Sequence, residues 1–400
     1  MESNVSASRR TGWALTMARR RTREQHIAVF GESGSGKTVL ISSFFGSYLE
    51  AARARRGVLD VRAVRANQAT LLRQNYLGMK DSADVPEPNR FSSTTYDFAV
   101  QLRRPEAASA HRADPLLHLV WHDYPGEWFE QDASSEEEAK RRVSNFRALL
   151  NSDVAILLID GQRLVDHAGE EERYLRSVLG SMRDVLESVK DELLDGSAGL
   201  EQFPRIWMIA LSKADLLPHL DVDSFADLVV RKAGYELSVL RQSIATLVVA
   251  DDALSVGEDF VLLSSARFEP GRIVFEDQVG VDLLLPIASL LPIERGNRWA
   301  QLRLLPNEVA RRLLRNAAHV ARFAAWGARI AGRLPGKLAL LATLIDLEAV
   351  ERLAQLGHDE LVEAHNRAVA RNEGARAAAT QFLLQIKKAE EEKVLARSTR

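Results

Sequence analysis

The 400-residue sequence predicts an α/β protein: a doubly wound, mainly parallel sheet followed by a C-terminal α-helical module. Three observations lead there. Continuous apolar runs of strand length recur as far as residue 268, within an alternation that reaches about residue 295. Stretches with apolar residues at helical spacing separate these runs, and beyond Pro306 only the helical spacing remains. Runs that are apolar at every position suit strands covered on both faces, as in a parallel sheet flanked by helices.

In chain order, HIAVFGESG (26–34) is a strand that runs into glycines, and KTVLISSFFGSYLEAARARR continues it as a helix. DFAVQLRR (97–104) and PLLHLVWHDYPGE (115–127) read as two strands joined by a turn-rich connection. VAILLID (154–160), RIWMIALSKAD (205–215) and DFVLLSSARF (259–268) are buried strands. Helices are expected over 136–151, 170–194 and 224–247. The organisation is a basic arm over 1–24, an α/β domain over 25–298 with enlarged loops, and a helical module over 299–400. Within that module RLPGKL (333–338) is the clearest break and Gly357 a weaker one; no internal repeat is detectable.

Composition narrows the function classes. The 53 basic side chains nearly balance 55 acidic ones, so no global charge calls for a polyanionic partner. Absence of cysteine excludes a disulfide framework, a thiol nucleophile and a Cys-ligated metal, and fits a reducing, cytoplasmic setting. The first 25 residues place arginines on both sides of a short mixed segment and make a poor secretory signal. The apolar run from Leu338 to Ile345 is far shorter than the ~20 residues that span a bilayer, so no transmembrane segment is expected. His26, His122 and His219 lack metal-ligand spacing.

The chemistry is concentrated in four short stretches. GESGSGKT (31–38) is Gly-x-x-x-x-Gly-Lys-Thr between a strand and a helix, the context in which such a loop binds phosphate. Gly31, Gly34 and Gly36, with Ser35 between them, let backbone N–H groups aim at phosphate oxygens; Lys37 reaches the β and γ groups, and the Thr38 hydroxyl binds Mg²⁺. DYPGE (123–127) supplies Asp-x-x-Gly, in which Asp123 can hold Mg²⁺ through water and the Gly126 N–H can sense the γ-phosphate. SKAD (212–215) ends another strand, where Asp215 can accept from guanine N1–H and the N2 amino group, donors that adenine lacks, with the Lys213 stem over the purine ring. SSA (264–266), with Ser265, ends the last strand and can place the Ala266 N–H on guanine O6.

In order, at strand ends and in spacing, these stretches resemble the G1, G3, G4 and G5 elements of P-loop GTPases of the translation-factor-related class. The DYPGEW stretch and the large size are most similar to the bacterial YcjX-like and double-GTPase groups. The resemblance covers residues 25–295. It implies a Ras-like G domain, GTP and GDP as ligands, Mg²⁺ as cofactor, and a G2 threonine in the first switch loop that closes over the metal. Thr94 and Thr95 are the candidates for that threonine, with Thr95 preferred. Two departures stand out. Ser212 replaces the more usual Asn, so one amide bridge to base and loop is lost. Glu127 occupies the position where many relatives carry a water-orienting Gln, so slow intrinsic hydrolysis is expected, with a missing positive charge supplied by a protein partner or neighbouring protomer.

The expected function is therefore a GTP-hydrolysing switch or assembly GTPase whose C-terminal helices relay nucleotide state to an effector. The alternatives are a P-loop ATPase or small-molecule kinase, and a non-catalytic nucleotide-binding scaffold. Lys37, Thr95, Gly126 and Glu127 form the expected catalytic set. Six arginines among the first 23 residues, and eight Arg or Lys against one Glu over 303–337, read as basic outer faces or as contacts to an anionic membrane surface, nucleic acid or an acidic protein. Six acidic residues from Glu127 to Glu138 mark a solvated loop and helix N-terminus within the second switch region.

Overall fold

Eight strands form a single sheet, parallel through its centre and antiparallel at both margins. The computed structural model describes residues 24–53, 57–82, 84, 86, 94–103, 117–129, 135–269, 272–302, 304, 353–371 and 374–398. The basic arm, the basic segment 303–337 and the RLPGKL break all lie outside the described residues, apart from Leu304 and Glu24.

The first strand, β1 (Glu24–Phe30), pairs in parallel with β4 (Leu117–Asp123) on one side and β5 (Val154–Asp160) on the other. Parallel pairing continues through β6 (Ile206–Ser212) to β7 (Ser255–Leu262). Every residue of β4, β5 and β6 is buried, as the unbroken apolar runs require. The opposite flank is antiparallel: β3 (Thr94–Leu102) pairs with β4, and β2 (Leu59–Ala63) closes the edge. The expected doubly wound α/β fold is thus met, with an antiparallel margin added.

Helices cover both faces. Alternate residues Ile27 and Val29 of β1, Leu119 and Trp121 of β4, and Ile156 and Leu158 of β5 meet Leu40, Ile41, Phe44 and Phe45 of α1 (Lys37–Arg53). The intervening residues Ala28 and Phe30, Leu157 and Ile159 pack under α3 (Glu136–Leu149), α5 (Glu171–Ser188) and α7 (Val222–Ala245). α5 presents Tyr174, Leu175, Val178, Leu179, Met182 and Leu186 to the sheet at helical spacing. α3 starts where Ser135 Oγ accepts from the Glu138 N–H at 3.2 Å, and Glu136, Glu137 and Glu138 fill its first turn, where the helix dipole favours them. Between β2 and β3 lies α2 (Ala66–Leu77); α4 (Gly161–Asp166) and α6 (Lys190–Leu194) are short, and β8 (Arg267–Glu269) with β9 (Arg272–Val274) makes a small hairpin after the sheet's last parallel strand.

The described C-terminal elements are not confined to a separate bundle. α8 (Leu284–Gln301), α9 (His358–Ala370) and α10 (Gly374–Glu391) contribute Leu290, Leu361, Ala378, Phe382 and Ile386 to the same core cluster as β1 and α1. After α10 the chain forms β10 (Leu395–Ala396), antiparallel to β7 at Val261 and Phe260. A strand there corrects the reading of helix alone beyond Pro306. Two residues cannot announce a strand by periodicity, and this one exists because β7 offers an open edge.

Candidate nucleotide-binding site

The C-terminal ends of β1, β4, β5, β6 and β7 converge on one edge of the sheet, the place where open α/β sheets bind ligands. Register fixes the alignment: Val29 lies beside Asp123, and Asp160 beside Ser212. The four sequence stretches therefore meet although nearly 240 residues separate the first from the last.

The phosphate loop leaves β1 at Gly31 and enters α1 at Lys37. Gly34 and Gly36 hold φ of +79° and +91°, a region that side chains rarely adopt. These turns bring the Lys37 ammonium back over the loop, where it donates to the Gly31 carbonyl at 2.6 Å and the Glu32 carbonyl at 2.9 Å. Ser35 and Lys37 are buried, and Thr38 follows in the first turn of α1.

On one side of this loop stands the Asp-x-x-Gly stretch. A Cβ at Gly126 would sit 2.3 Å from the Ser33 nitrogen and 2.4 Å from the Glu32 carbonyl carbon, so only glycine permits this approach. Glu127 follows in a 3-10 turn, half-buried beside the loop. Asp123 is 3% exposed and its Oδ1 has no hydrogen-bond partner among the described residues. Burial pushes its carboxyl up to about 6, against the pull of the nearby Lys37 ammonium.

That orphaned oxygen tests whether Mg²⁺ fits. Among the described residues no three His, Asp or Glu side chains are grouped to hold a metal alone. A buried carboxylate oxygen without a donor, beside a phosphate loop and a helix-start threonine, suits a hard cation that takes its remaining ligands from phosphates and water. Asp123 and Thr38 would hold it, and the ion would supply charge neutralisation at the β and γ oxygens.

The pairing places the two G2 candidates on opposite faces of the sheet. Across the antiparallel β3–β4 ladder Thr94 faces Asp123, while Thr95 faces His122. Directly paired residues share a sheet face, so Thr94 lies on the α1 face with Asp123, and Thr95 points to the opposite face. There the Thr95 hydroxyl lies 3.4 Å from His122 Nδ1, and its carbonyl accepts from Gln68 Nε2 at 2.5 Å. His122 in turn stacks on His26 with 2.9 Å between ring nitrogens, and burial beside His26 pushes it down to about 3.

On the other side of the loop is a pocket of about 290 Å³. Gly34, Ser35, Gly36, Val39 and Leu40 line one wall; Ser212, Lys213, Asp215, Ser264 and Ser265 line the facing one. The phosphate and base stretches therefore border a single cavity. Ser264 Oγ lies 2.7 Å from Asp215 Oδ1 and 2.8 Å from the Ala266 carbonyl and shares its one proton between these acceptors, which fixes the aspartate at the pocket wall. Ala266 is fully buried and packs with Met79 and Ile273. Two residues at this site have roles that the motifs do not assign. Ser264 orients Asp215, and Asp160, the lone acid closing the VAILLID run, pairs with Lys213 at 2.8 Å. A single carboxylate at the end of a wholly apolar strand was the available signal.

A glycine-rich phosphate loop, an Asp-x-x-Gly turn packed on it and a separate base wall on one sheet edge define the class as a P-loop GTPase. The Double-GTPase 2 family matches residues 25–246, and the chain belongs to that family. Among solved structures the chain is similar to the signal recognition particle receptor SRb-GTP/SRX complex from Chaetomium thermophilum, at 18% identity over 62% of this chain and 93% of that one, with a TM-score of 0.34. It is also similar to a probable GTP-binding protein engB, at 14% identity over 65% and 94% and a TM-score of 0.24. A third is Methanosarcina barkeri Roco2 RocCORdC bound to GDP, at 11% identity over 69% and 50% and a TM-score of 0.24. No curated protein matches the chain. No helix among the described residues is long and apolar enough to cross a membrane.

Proposed function

We propose that the protein is a Mg²⁺-dependent, guanine-selective GTPase with slow intrinsic turnover, acting as a switch whose C-terminal helices carry nucleotide state to a partner. The observation that carries this reading is the shared pocket between Ser35 and Gly36 of the phosphate loop and Lys213 and Asp215 of the base wall. Guanine selectivity follows from Asp215. Adenine would leave this carboxylate facing no donor at a cost of about 1–3 kcal/mol, whereas guanine offers two.

Competition binding tests the base. GTP and GDP are expected to displace a labelled nucleotide at concentrations where ATP does not, and Asp215→Asn to shift the preference toward xanthine nucleotides, because the donor and acceptor pattern is inverted. Equal displacement by ATP would support the ATPase or kinase alternative. Lys37→Ala is expected to lower nucleotide affinity by roughly a hundredfold or more, since the ammonium is the loop's point charge for the β and γ phosphates. Unchanged binding would remove the loop from the site.

Slow hydrolysis follows from Glu127. A carboxylate can accept a proton from water, but its charge is repelled by the γ-phosphate, and an arginine supplied in trans would raise the rate by ~10³–10⁵-fold. The relay is supported by continuity: β10 and α10 are joined to β7, and β7 ends on the Ser264–Ala266 loop. Effector, membrane or nucleic-acid contact by the basic arm belongs to this proposal as the route by which a switch would find its target. The expected setting is the cytoplasm or the inner face of a membrane.

A further inference from the structure

Ser212 takes the place of an asparagine whose amide would hold the base-reading loop, yet that loop is not loosely built. The Ser212 hydroxyl donates within the sheet, to the Ile159 carbonyl at 3.2 Å. It does not reach across to the phosphate loop. Lys213 holds a left-handed backbone with φ of 53°, which costs a non-glycine residue about 1–2 kcal/mol and needs something to maintain it.

The side chain of Lys213 is paired with Asp160. Its carboxylate is nearly fully buried, and its two oxygens have different duties. Oδ1 accepts from the Gln162 N–H at 2.9 Å and caps α4, while Oδ2 accepts from Lys213 Nζ at 2.8 Å. A cap alone would be met by serine, threonine or asparagine, so the second oxygen and the charge are the surplus to be explained. The backbone N–H of Asp160 donates to Tyr174 Oη at 2.9 Å, which fixes the strand end. Gly161 then lets the chain pass under the loop: a Cβ there would lie 2.6 Å from the Ser212 carbonyl oxygen and 2.8 Å from that of Lys213. Two residues further, Arg163 lies 3.3 Å from Glu32 of the phosphate loop. A single helical turn thus reaches both loops that border the pocket.

Resting on the guanine-nucleotide reading above, we propose that Asp160 is the positioning residue for base recognition: its ion pair with Lys213 holds the 212–215 loop in register over the purine in place of the amide that Ser212 lacks. Asp160 acts through Lys213 and Asp215 and does not touch nucleotide. Its effect therefore falls on base discrimination and leaves the phosphate contacts alone.

The test is equilibrium binding of GDP and ADP to the full chain, wild type against Asp160→Asn, which keeps an acceptor for the α4 cap and removes the charge. GDP affinity is expected to fall about tenfold, the loss of one charge-assisted hydrogen bond, while ADP affinity, set by the phosphate loop, changes less than about twofold. General damage would lower both together, and that outcome overturns the proposal. Lys213→Met, which keeps the stem over the ring, is expected to narrow the GDP-to-ADP ratio equally. Combining it with Asp160→Asn should narrow the ratio no further. Should Asp160→Asn fail to fold, Lys213→Met carries the same prediction, and an unchanged ratio in it overturns the proposal. A wild-type preference for GDP that survives both substitutions overturns this inference alone. Wild-type protein that binds ADP as tightly as GDP overturns the guanine reading and this inference with it.

Discussion

Arg295→Met is expected to destabilise the fold by roughly 3–5 kcal/mol, the cost of leaving a buried carboxylate without an opposite charge. Arg295 and Asp259 are 2% and 0% exposed, with 2.6 Å between Nη2 and Oδ1. Burial already holds the Asp259 carboxyl above the ordinary carboxylate range, with the guanidinium pulling against it. Methionine fills the volume of the arginine stem without the charge, so the loss measures the uncompensated carboxylate charge more than a cavity. A denaturant titration read by circular dichroism measures it. Adding Asp259→Ala should recover part of the loss, because the uncompensated charge is then gone. Recovery is incomplete, because the Ser398 N–H donates to Asp259 at 3.0 Å and Ser255 Oγ donates to the same carboxylate. Additive losses in the double variant would show that the two residues matter separately and not as a pair.

The pair also explains why the end of the chain belongs to the sheet. Asp259 lies in β7, Arg295 in α8, and Ser398 just beyond β10, so one carboxylate joins three segments remote in sequence. Arg397 adds contacts to Glu294 at 2.6 Å and Glu390 at 2.7 Å. A division into an α/β domain and a later helical module can be drawn on the sequence at residue 298, yet the described C-terminal helices fill the same core as β1. Periodicity reports that a segment is helical and which face is apolar. It does not report which surface that face will cover.

Local signals were legible where burial acts on every residue. VAILLID coincides with β5 residue for residue, and Glu136 is the first residue of α3. β2, LDVRA, is hard to read in the sequence because an edge strand buries only Leu59 and Val61, and the charged Asp60 and Arg62 beside them resemble a loop. At the site, residues whose chemistry is local could be read: the glycine turns, Lys37, and the acids at strand ends. Residues defined by a partner across the sheet could not. Choosing between Thr94 and Thr95 needs the β3–β4 register, and one residue of slip exchanges the sheet faces. Asp160 likewise gains its meaning from Lys213, 53 positions away.

Asp123→Asn is expected to have two effects of opposite sign. The Asp123 carboxyl is raised from an ordinary 3.8 to about 6, chiefly by burial. A raised value means that the folded chain favours the protonated form, so this group's stability contribution is full below 3.8 and is lost as pH climbs through 6. At pH 8 the buried carboxylate therefore costs the metal-free fold about 3 kcal/mol, net of the attraction of Lys37. Asparagine removes that charge at constant shape. In EDTA and without nucleotide, the variant should melt at a higher temperature than wild type at pH 8, and the advantage should vanish near pH 4. In Mg²⁺ the order reverses for function: GTP affinity falls, because a neutral amide oxygen replaces the anionic one that would meet the cation's shell. The paired outcome separates a metal-holding carboxylate from a structural one. A group placed to stabilise the fold would cost stability when neutralised, whereas Asp123 is buried, unpartnered at Oδ1 and charged at the expense of the fold. A variant less stable than wild type in EDTA at pH 8 would assign Asp123 to structure and move the cation elsewhere.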